Sequence, residues 1–341
     1  MTTPMTRGQF LRALPAFSLA QTLSLSSFAQ TSAPPMTRSA WEKQRAQTLA
    51  GMQAVMGPLP ARAKLPLDIR VPETETLPGF TRRKITYQAE PGDAVPAYLL
   101  IPTGLRKRAP AMLCLHQTTR IGKQEPAGLG GSANLQYARE LAERGYVCIV
   151  PDYPYLGENT FVPYDHGYVS CTMKGIVNHM RAVDVLLSLK EVNPGRIGAI
   201  GHSLGGHNTL FVAAFDPRIR AMVTSCGFTS AHKYYNGDLT GWAGDRYMPL
   251  IAAKYGKDPS RIPFDFPALL AALAPRPLFI NAPLRDANFE VSGVRDCLAF
   301  ATPAYNLFHA GEKLVAEYPD APHDFPKEQR RQAYAFLDRW L

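Results

Sequence analysis

From about residue 80 onward, short apolar runs alternate along the chain with stretches of helical periodicity. Runs of strand length occupy 83–88, 97–101, 111–116, 147–151, 196–201, 221–226, 277–282 and 313–318. The middle ones are apolar almost without interruption, the pattern of parallel strands covered on both faces. Between them, apolar positions recur with helical spacing over 134–144, 173–189, 205–215, 293–307 and 328–341. This alternation predicts a doubly wound, mostly parallel sheet. The first two strands lie too close together for a crossover helix, so the sheet should begin antiparallel.

Two segments stand apart from the alternation. Over 41–56 the residues Leu49, Met52, Val55 and Met56 share one helical face, and Gly57-Pro58-Leu59-Pro60 ends the pattern. Residues 31–75 are therefore read as an N-terminal helical extension on a main domain spanning 76–341. After the sixth expected strand, about fifty residues intervene before the next, rich in Tyr, Trp and Phe. A connection this long is a functional lid or carries helices of its own, and 228–268 is read as such an insertion or cap.

The first thirty residues have the character of a targeting segment. Arg7 and Arg12 make the start positive, and no acidic residue precedes Glu42. An apolar stretch over 13–28 then ends at Ser27-Phe28-Ala29, which offers small residues for a signal peptidase. Thr6-Arg7-Gly8-Gln9-Phe10-Leu11-Arg12 is similar to a twin-arginine export signal with glycine in place of the second arginine. A periplasmic or secreted location is expected. No run of eighteen apolar residues occurs, which excludes a multi-span helical membrane protein, and no stable membrane insertion is expected.

With 46% hydrophobic and 19% charged residues the 341-residue chain is no disordered protein. Its net charge of +9 falls mostly on scattered residues. The clusters Arg82-Arg83-Lys84, Arg106-Lys107-Arg108 and Arg330-Arg331 lack interleaved aromatics, so they are read as solvated faces and no nucleic-acid partner is expected. Five cysteines without a CxxC pair suggest neither a disulfide framework nor a zinc site. Cys114, Cys148 and Cys226 lie in apolar runs and are read as buried small hydrophobes.

Gly201-His202-Ser203-Leu204-Gly205 matches G-x-S-x-G in the context that gives the pattern meaning. An apolar strand, Ile197-Gly198-Ala199-Ile200, precedes it, and a helix follows. A serine on such a strand–turn–helix is forced into a strained turn with its hydroxyl exposed, as a nucleophile requires. The hydroxyl also needs a base, and in this arrangement the chain order is serine, acid, histidine. Of the eight histidines only His309 and His323 follow the later strands; His309 ends a helical pattern, so His323, in the loop after the last strand, is the expected base. Asp286 is the first carboxylate after the strand Leu278-Phe279-Ile280-Asn281 and the expected acid, with Glu290 and Asp296 as rivals. Asp320 and Asp324 are read as loop-fixing residues. The oxyanion hole should use the backbone N–H of Leu204 and one from Gln117 or Thr118, after the strand Met112-Leu113-Cys114-Leu115. His116 is read as fixing that loop by hydrogen bonding. His202 and His207 flank the serine, but no HExxH accompanies them, so neither a metal nor a cofactor is expected.

These motifs together resemble the dienelactone hydrolase-like and acetyl xylan esterase-like branch of the α/β-hydrolase superfamily. The resemblance runs through Leu115-His116-Gln117-Thr118, Gly145-Tyr146-Val147, Pro151-Asp152-Tyr153, Gly201-His202-Ser203-Leu204-Gly205-Gly206, Ala274-Pro275-Arg276-Pro277, Asp286 and His323-Asp324-Phe325. It implies an α/β-hydrolase fold and hydrolysis of a carboxylic ester through an acyl-enzyme, with a small-molecule or carbohydrate ester as substrate. Dienelactone hydrolases proper use a cysteine where Ser203 stands, which argues against that lactone chemistry. Many esterases carry His-Gly where this chain has His116-Gln117. A serine peptidase of the prolyl-oligopeptidase type shares the triad order, but it needs a large N-terminal propeller, and fewer than about eighty residues precede the core. A catalytically silent binding module would predict a broken triad.

Overall fold

A computed structural model describes residues 36–61 and 65–341, so the export signal expected over 1–30 lies outside the described residues. The elements begin with helix α1 (Arg38–Met56) and strands β1 (Arg70–Leu77), β2 (Phe80–Glu90), β3 (Asp93–Pro102) and β4 (Ala109–Leu115). Next come α2 (Tyr137–Glu143), β5 (Val147–Pro151), α3 (Cys171–Ser188), β6 (Val192–His202), α4 (Leu204–Phe215) and β7 (Ala221–Ser225). The chain ends with α5 (Leu250–Ala253), α6 (Phe266–Leu273), β8 (Leu278–Asn281), α7 (Val291–Leu307), β9 (Leu314–Glu317) and α8 (Lys327–Trp340).

The nine strands form one sheet in the order β1-β2-β3-β5-β4-β6-β7-β8-β9. The pairs β1/β2, β2/β3 and β3/β5 are antiparallel, and every pair from β5 to β9 is parallel. In β4 the side chains of Ala111, Leu113 and Leu115 enter one core layer, while Met112 and Cys114 enter the other. That is the period-two alternation of a strand buried on both faces. Helices α1, α3, α4, α6 and α7 cover the first layer; α2 and α8 cover the second. Beside β4 the chain turns to β5 on one side and β6 on the other. Such a reversal opens a crevice at the carboxyl ends of the strands, the usual ligand position in open α/β sheets.

Three expectations need correction. The sheet has a strand more than the apolar pattern indicated, so the aromatic insertion follows the seventh strand, not the sixth. All but the last residue of β1 are exposed. It is held by cross-strand charge pairs, Glu75 with Arg82 at 2.5 Å and Glu73 with Lys84 at 3.6 Å, rather than by an apolar face. Arg82 is for the same reason no solvated residue: it is buried and also donates to the Ala127 carbonyl at 2.9 Å. Arg330 is likewise buried, bonded to Glu140, Asn134 and the Phe325 carbonyl. A guanidinium leaves water when its donors find fixed acceptors, and here each set includes acceptors remote in sequence, Ala127 for Arg82 and Asn134 and Glu140 for Arg330.

All five cysteines are free and buried. Among the described residues no helix is long and apolar enough to cross a membrane. Residues 35–341 form one compact unit, and α1 is tied into it by more than apolar contact. Trp41 donates its indole N–H to Ala271 O of α6 at 2.8 Å, and Arg45 reaches Ala214 O of α4 and Ala272 O of α6.

Candidate active site

Ser203 stands between β6 and α4 with φ 53° and ψ −118°, a conformation that costs about 1–3 kcal/mol for a residue with a side chain. The turn closes because its neighbours have no side chains. A Cβ on Gly205 would lie 1.8 Å from Leu115 O, and one on Gly201 would lie 2.2 Å from Gly205 O. Backbone bonds fix the turn on both sides, Ser203 N–H to Ser225 O at 2.8 Å and His207 N–H to Ser203 O at 3.1 Å. The first N–H groups of α4, that of Leu204 among them, have no partner within the helix, and Leu204 lines the same cavity as the serine.

His323 and Asp286 come from the loops after β9 and β8. Backbone bonds from Leu284 N–H to Pro319 O and from Arg285 N–H to Ala321 O lace these loops together. His323 Nδ1 lies 2.9 Å from each Asp286 carboxylate oxygen. The carboxylate is 1% exposed and the imidazole 20%. Burial pushes the Asp286 carboxyl up, but the His323 contact and the backbone N–H groups of Asn288 and Phe289 outweigh it, leaving it below the ordinary carboxylate value. The rival acids are engaged elsewhere: Glu290 accepts from Ser292, and Asp296 pairs with Lys233.

Below the imidazole a polar network holds its loop. Asn281 Nδ2 donates to Asp324 O and Ser225 Oγ, both at 2.9 Å, and Cys226 Sγ reaches Asp324 O at 3.3 Å. His202 Nδ1 meets the same Ser225 hydroxyl at 2.9 Å. His202, Cys226 and His323 offer ligand atoms within 4.8 Å of one another, but each already has a hydrogen-bond partner in this network. Burial, aided by the neighbouring His323, pushes the His202 imidazole down to about 3, so it is neutral at ordinary pH. The side chains of Asp320 and Asp324 bond Arg285 and Asn134 and do not approach the imidazole of His323 by hydrogen bond.

Ser203, Leu204 and His323 line one cavity of about 280 Å³, together with Gln117 and Thr118. The Gln117 side chain is turned to Glu125 and the Thr118 hydroxyl to Tyr247 OH, so what either residue can offer an oxyanion is its backbone N–H. His116, at the end of β4, is buried between Gln117 O and the Tyr153 N–H and serves the loop, not the cavity. The insertion supplies an aromatic wall, with Tyr234 stacked on Trp242 at 4.0 Å and 13° and Tyr247 beside them. Phe289 closes the wall against His323. His207 also lines the cavity, although sequence reasoning considered it only as a metal ligand. Its position one helical turn beyond the serine was the signal that could have found it.

Comparison with known proteins agrees with this fold. A family model for the α/β hydrolase fold matches residues 126–254, and an Abhydrolase family model matches residues 19–166. The Bacillus subtilis protein YtaP, named as a hydrolase, is 24% identical over 263 residues, 73% of this chain and 84% of that one. A glucuronoyl esterase from Solibacter usitatus superposes with a TM-score of 0.71 at 21% identity, covering 95% of this chain and 98% of the other. An acetyl xylan esterase from Paenibacillus sp. R4 gives a TM-score of 0.59 at 16% identity, covering 88% and 93%. At such identities the superpositions establish the fold.

Proposed function

We propose that this chain, which belongs to the α/β-hydrolase superfamily, is a serine hydrolase that cleaves a carboxylic ester of a carbohydrate through an acyl-enzyme. The reading rests on one observation. A strained, glycine-flanked Ser203 shares a cavity with an imidazole whose Nδ1 is held at 2.9 Å by a buried carboxylate. With Nδ1–H committed to Asp286, His323 Nε2 is left to take the Ser203 proton as Oγ attacks the ester carbonyl. The N–H of Leu204 and one from Gln117 or Thr118 receive the oxyanion. The imidazolium then gives its proton to the leaving alcohol, and the same base activates the water that releases the acid.

The sugar-ester part of the reading draws on the solved neighbours, named as glucuronoyl and acetyl xylan esterases, and on the aromatic wall, which suits the apolar face of a sugar ring. Export fits a polymeric substrate outside the cell and draws on the leader at 1–30; protein recovered from its native host should begin near Gln30, and a start at Met1 or Thr2 would refute cleavage. The activity is tested with p-nitrophenyl acetate and a peptide amide. Wild type should hydrolyse the ester and leave the amide, and Ser203→Ala should lose the ester turnover. Turnover that survives in Ser203→Ala would sink the assignment.

A further inference from the structure

Within the wall of the catalytic cavity, His207 is a buried polar side chain that neither the triad nor the oxyanion donors use. His207 lies on α4 one turn beyond Ser203, its backbone N–H bonded to Ser203 O at 3.1 Å, and both residues line the cavity. It is 7% exposed, and that small exposure belongs to the cavity it lines. Two other polar groups of the wall are engaged, Tyr247 OH with Thr118 and Asn288 Oδ1 with Tyr235 OH. The His207 ring has one backbone partner, the Gly227 carbonyl, and its Nδ1 has none among the described residues. Burial pushes this imidazole down to about 4 against the pull of that carbonyl, so the ring is neutral at ordinary pH, with one N–H and one lone pair.

A neutral imidazole that is nine-tenths buried and keeps unused hydrogen-bonding capacity on the wall of the cavity is costly unless something fills that capacity. No such cost is needed for triad chemistry, since neither Ser203 nor His323 bonds to it. The reach is informative. Ser203 and His207 line the same cavity, so an ester held at the serine brings a hydroxyl a few bonds from its carbonyl into the space that His207 borders. We infer that His207 is a specificity-determining residue whose imidazole hydrogen-bonds a free hydroxyl carried beside the scissile ester, so that the site selects hydroxylated esters over their deoxy counterparts. This deepens the ester-hydrolase reading and rests on it. The hydroxyl can belong to either half of the ester, to the sugar alcohol of an acetylated saccharide or to the sugar acid of a uronate ester. A site with a buried polar group left unpaired rejects the analogue that lacks the matching hydroxyl.

The test uses the full chain and two matched pairs of substrates. One pair is methyl 2-O-acetyl-xylopyranoside and its 3-deoxy analogue; the other is the methyl ester of a methyl glucopyranosiduronate and its 4-deoxy analogue. Wild type should favour the hydroxylated member of at least one pair by about tenfold or more in kcat/KM, and the pair that responds identifies which half carries the hydroxyl. His207→Phe should bring that ratio close to one, whereas His207→Asn, which retains a hydrogen-bonding group, should keep part of it. Thermal melting identifies which variants are folded, and His207→Ala stands in if the Phe variant is not. A wild-type ratio near one for both pairs, or a ratio within twofold of wild type in any folded variant lacking a polar group at 207, overturns the inference. If wild type hydrolyses none of these esters and not p-nitrophenyl acetate either, it is the ester-hydrolase reading that falls.

Discussion

Asp286 offers the sharpest contrast between what a side chain occupies and what it does. Asn in its place keeps the shape and can still accept the N–H groups of Asn288 and Phe289 through one oxygen. It replaces the other oxygen with an amide donor aimed at His323 Nδ1, which then holds the wrong tautomer. Asp286→Asn should lower kcat by about 10⁴-fold; a loss under tenfold in steady-state kinetics would contradict the role assigned to it. At this scale the sequence was unevenly legible. Ser203 was readable because the turn that strains it is written in its own five residues. His323 and Asp286 followed from chain order. The burial of Arg82 and Arg330 was not readable, since each also needs an acceptor far along the chain, Ala127 O 45 positions from Arg82 and Glu140 190 positions from Arg330. The place of His207 in the cavity was marked only by its spacing of one helical turn from Ser203, because a histidine in an apolar helix otherwise looks the same whether its ring meets core or cavity.

Among the elements, α1 was legible as a helix and its importance was not. The apolar positions Met52, Val55 and Met56 are fully buried, and each burial stabilises by about 1.5–3 kcal/mol. Trp41 and Arg45 add hydrogen bonds to carbonyls at the ends of α6 and α4, the helix that carries the serine at its start. Removing all residues through Gly57 should therefore lower the melting temperature by well over 10 °C or abolish cooperative unfolding. An unchanged melt would show that α1 is only an attachment. The strands buried on both faces were all legible, being continuous apolar runs. By contrast β1 was not, because Arg70–Leu77 exposes nearly all its residues and owes its place to charges on β2. The short α6, Phe266–Leu273, escaped because its eight residues are apolar nearly all round and show no amphipathic stripe.

Taken as a whole, the molecule carries an unusual acid sensitivity. Burial lowers the imidazoles of His179 and His202 to about 3 and of His207 to about 4, and lowers that of His116 as well. An unfolded histidine titrates near 6.5, so below that pH the unfolded chain binds protons that the folded one refuses, and stability falls as pH falls. Each of the first three should cost about 2 kcal/mol by pH 5, at about 1.4 kcal/mol per pH unit. Asp286 acts in a lower window: its depressed carboxyl contributes above the unfolded value near 3.9, and that contribution is lost only as pH falls through the folded value. The urea midpoint should accordingly drop markedly between pH 7 and pH 5, and His179→Leu should flatten the drop by about one proton. A midpoint constant over that range would contradict the neutral burial of these rings. The doubly wound architecture itself was legible from the alternation of runs and periodic stretches, whereas the pocket over it was not, since the aromatic insertion is placed by contacts such as Tyr234 and Trp242 on Phe289 and Tyr247 on Thr118 that no local pattern encodes.

Every functional statement above depends on Ser203 being an activated nucleophile, and covalent capture tests that most directly. The full chain treated with a fluorophosphonate and digested should carry one adduct, on the peptide containing Gly201-His202-Ser203-Leu204-Gly205, and should lose ester turnover in step with labelling. An enzyme that hydrolyses esters yet remains unlabelled there, or is labelled equally after Ser203→Ala, would contradict the account.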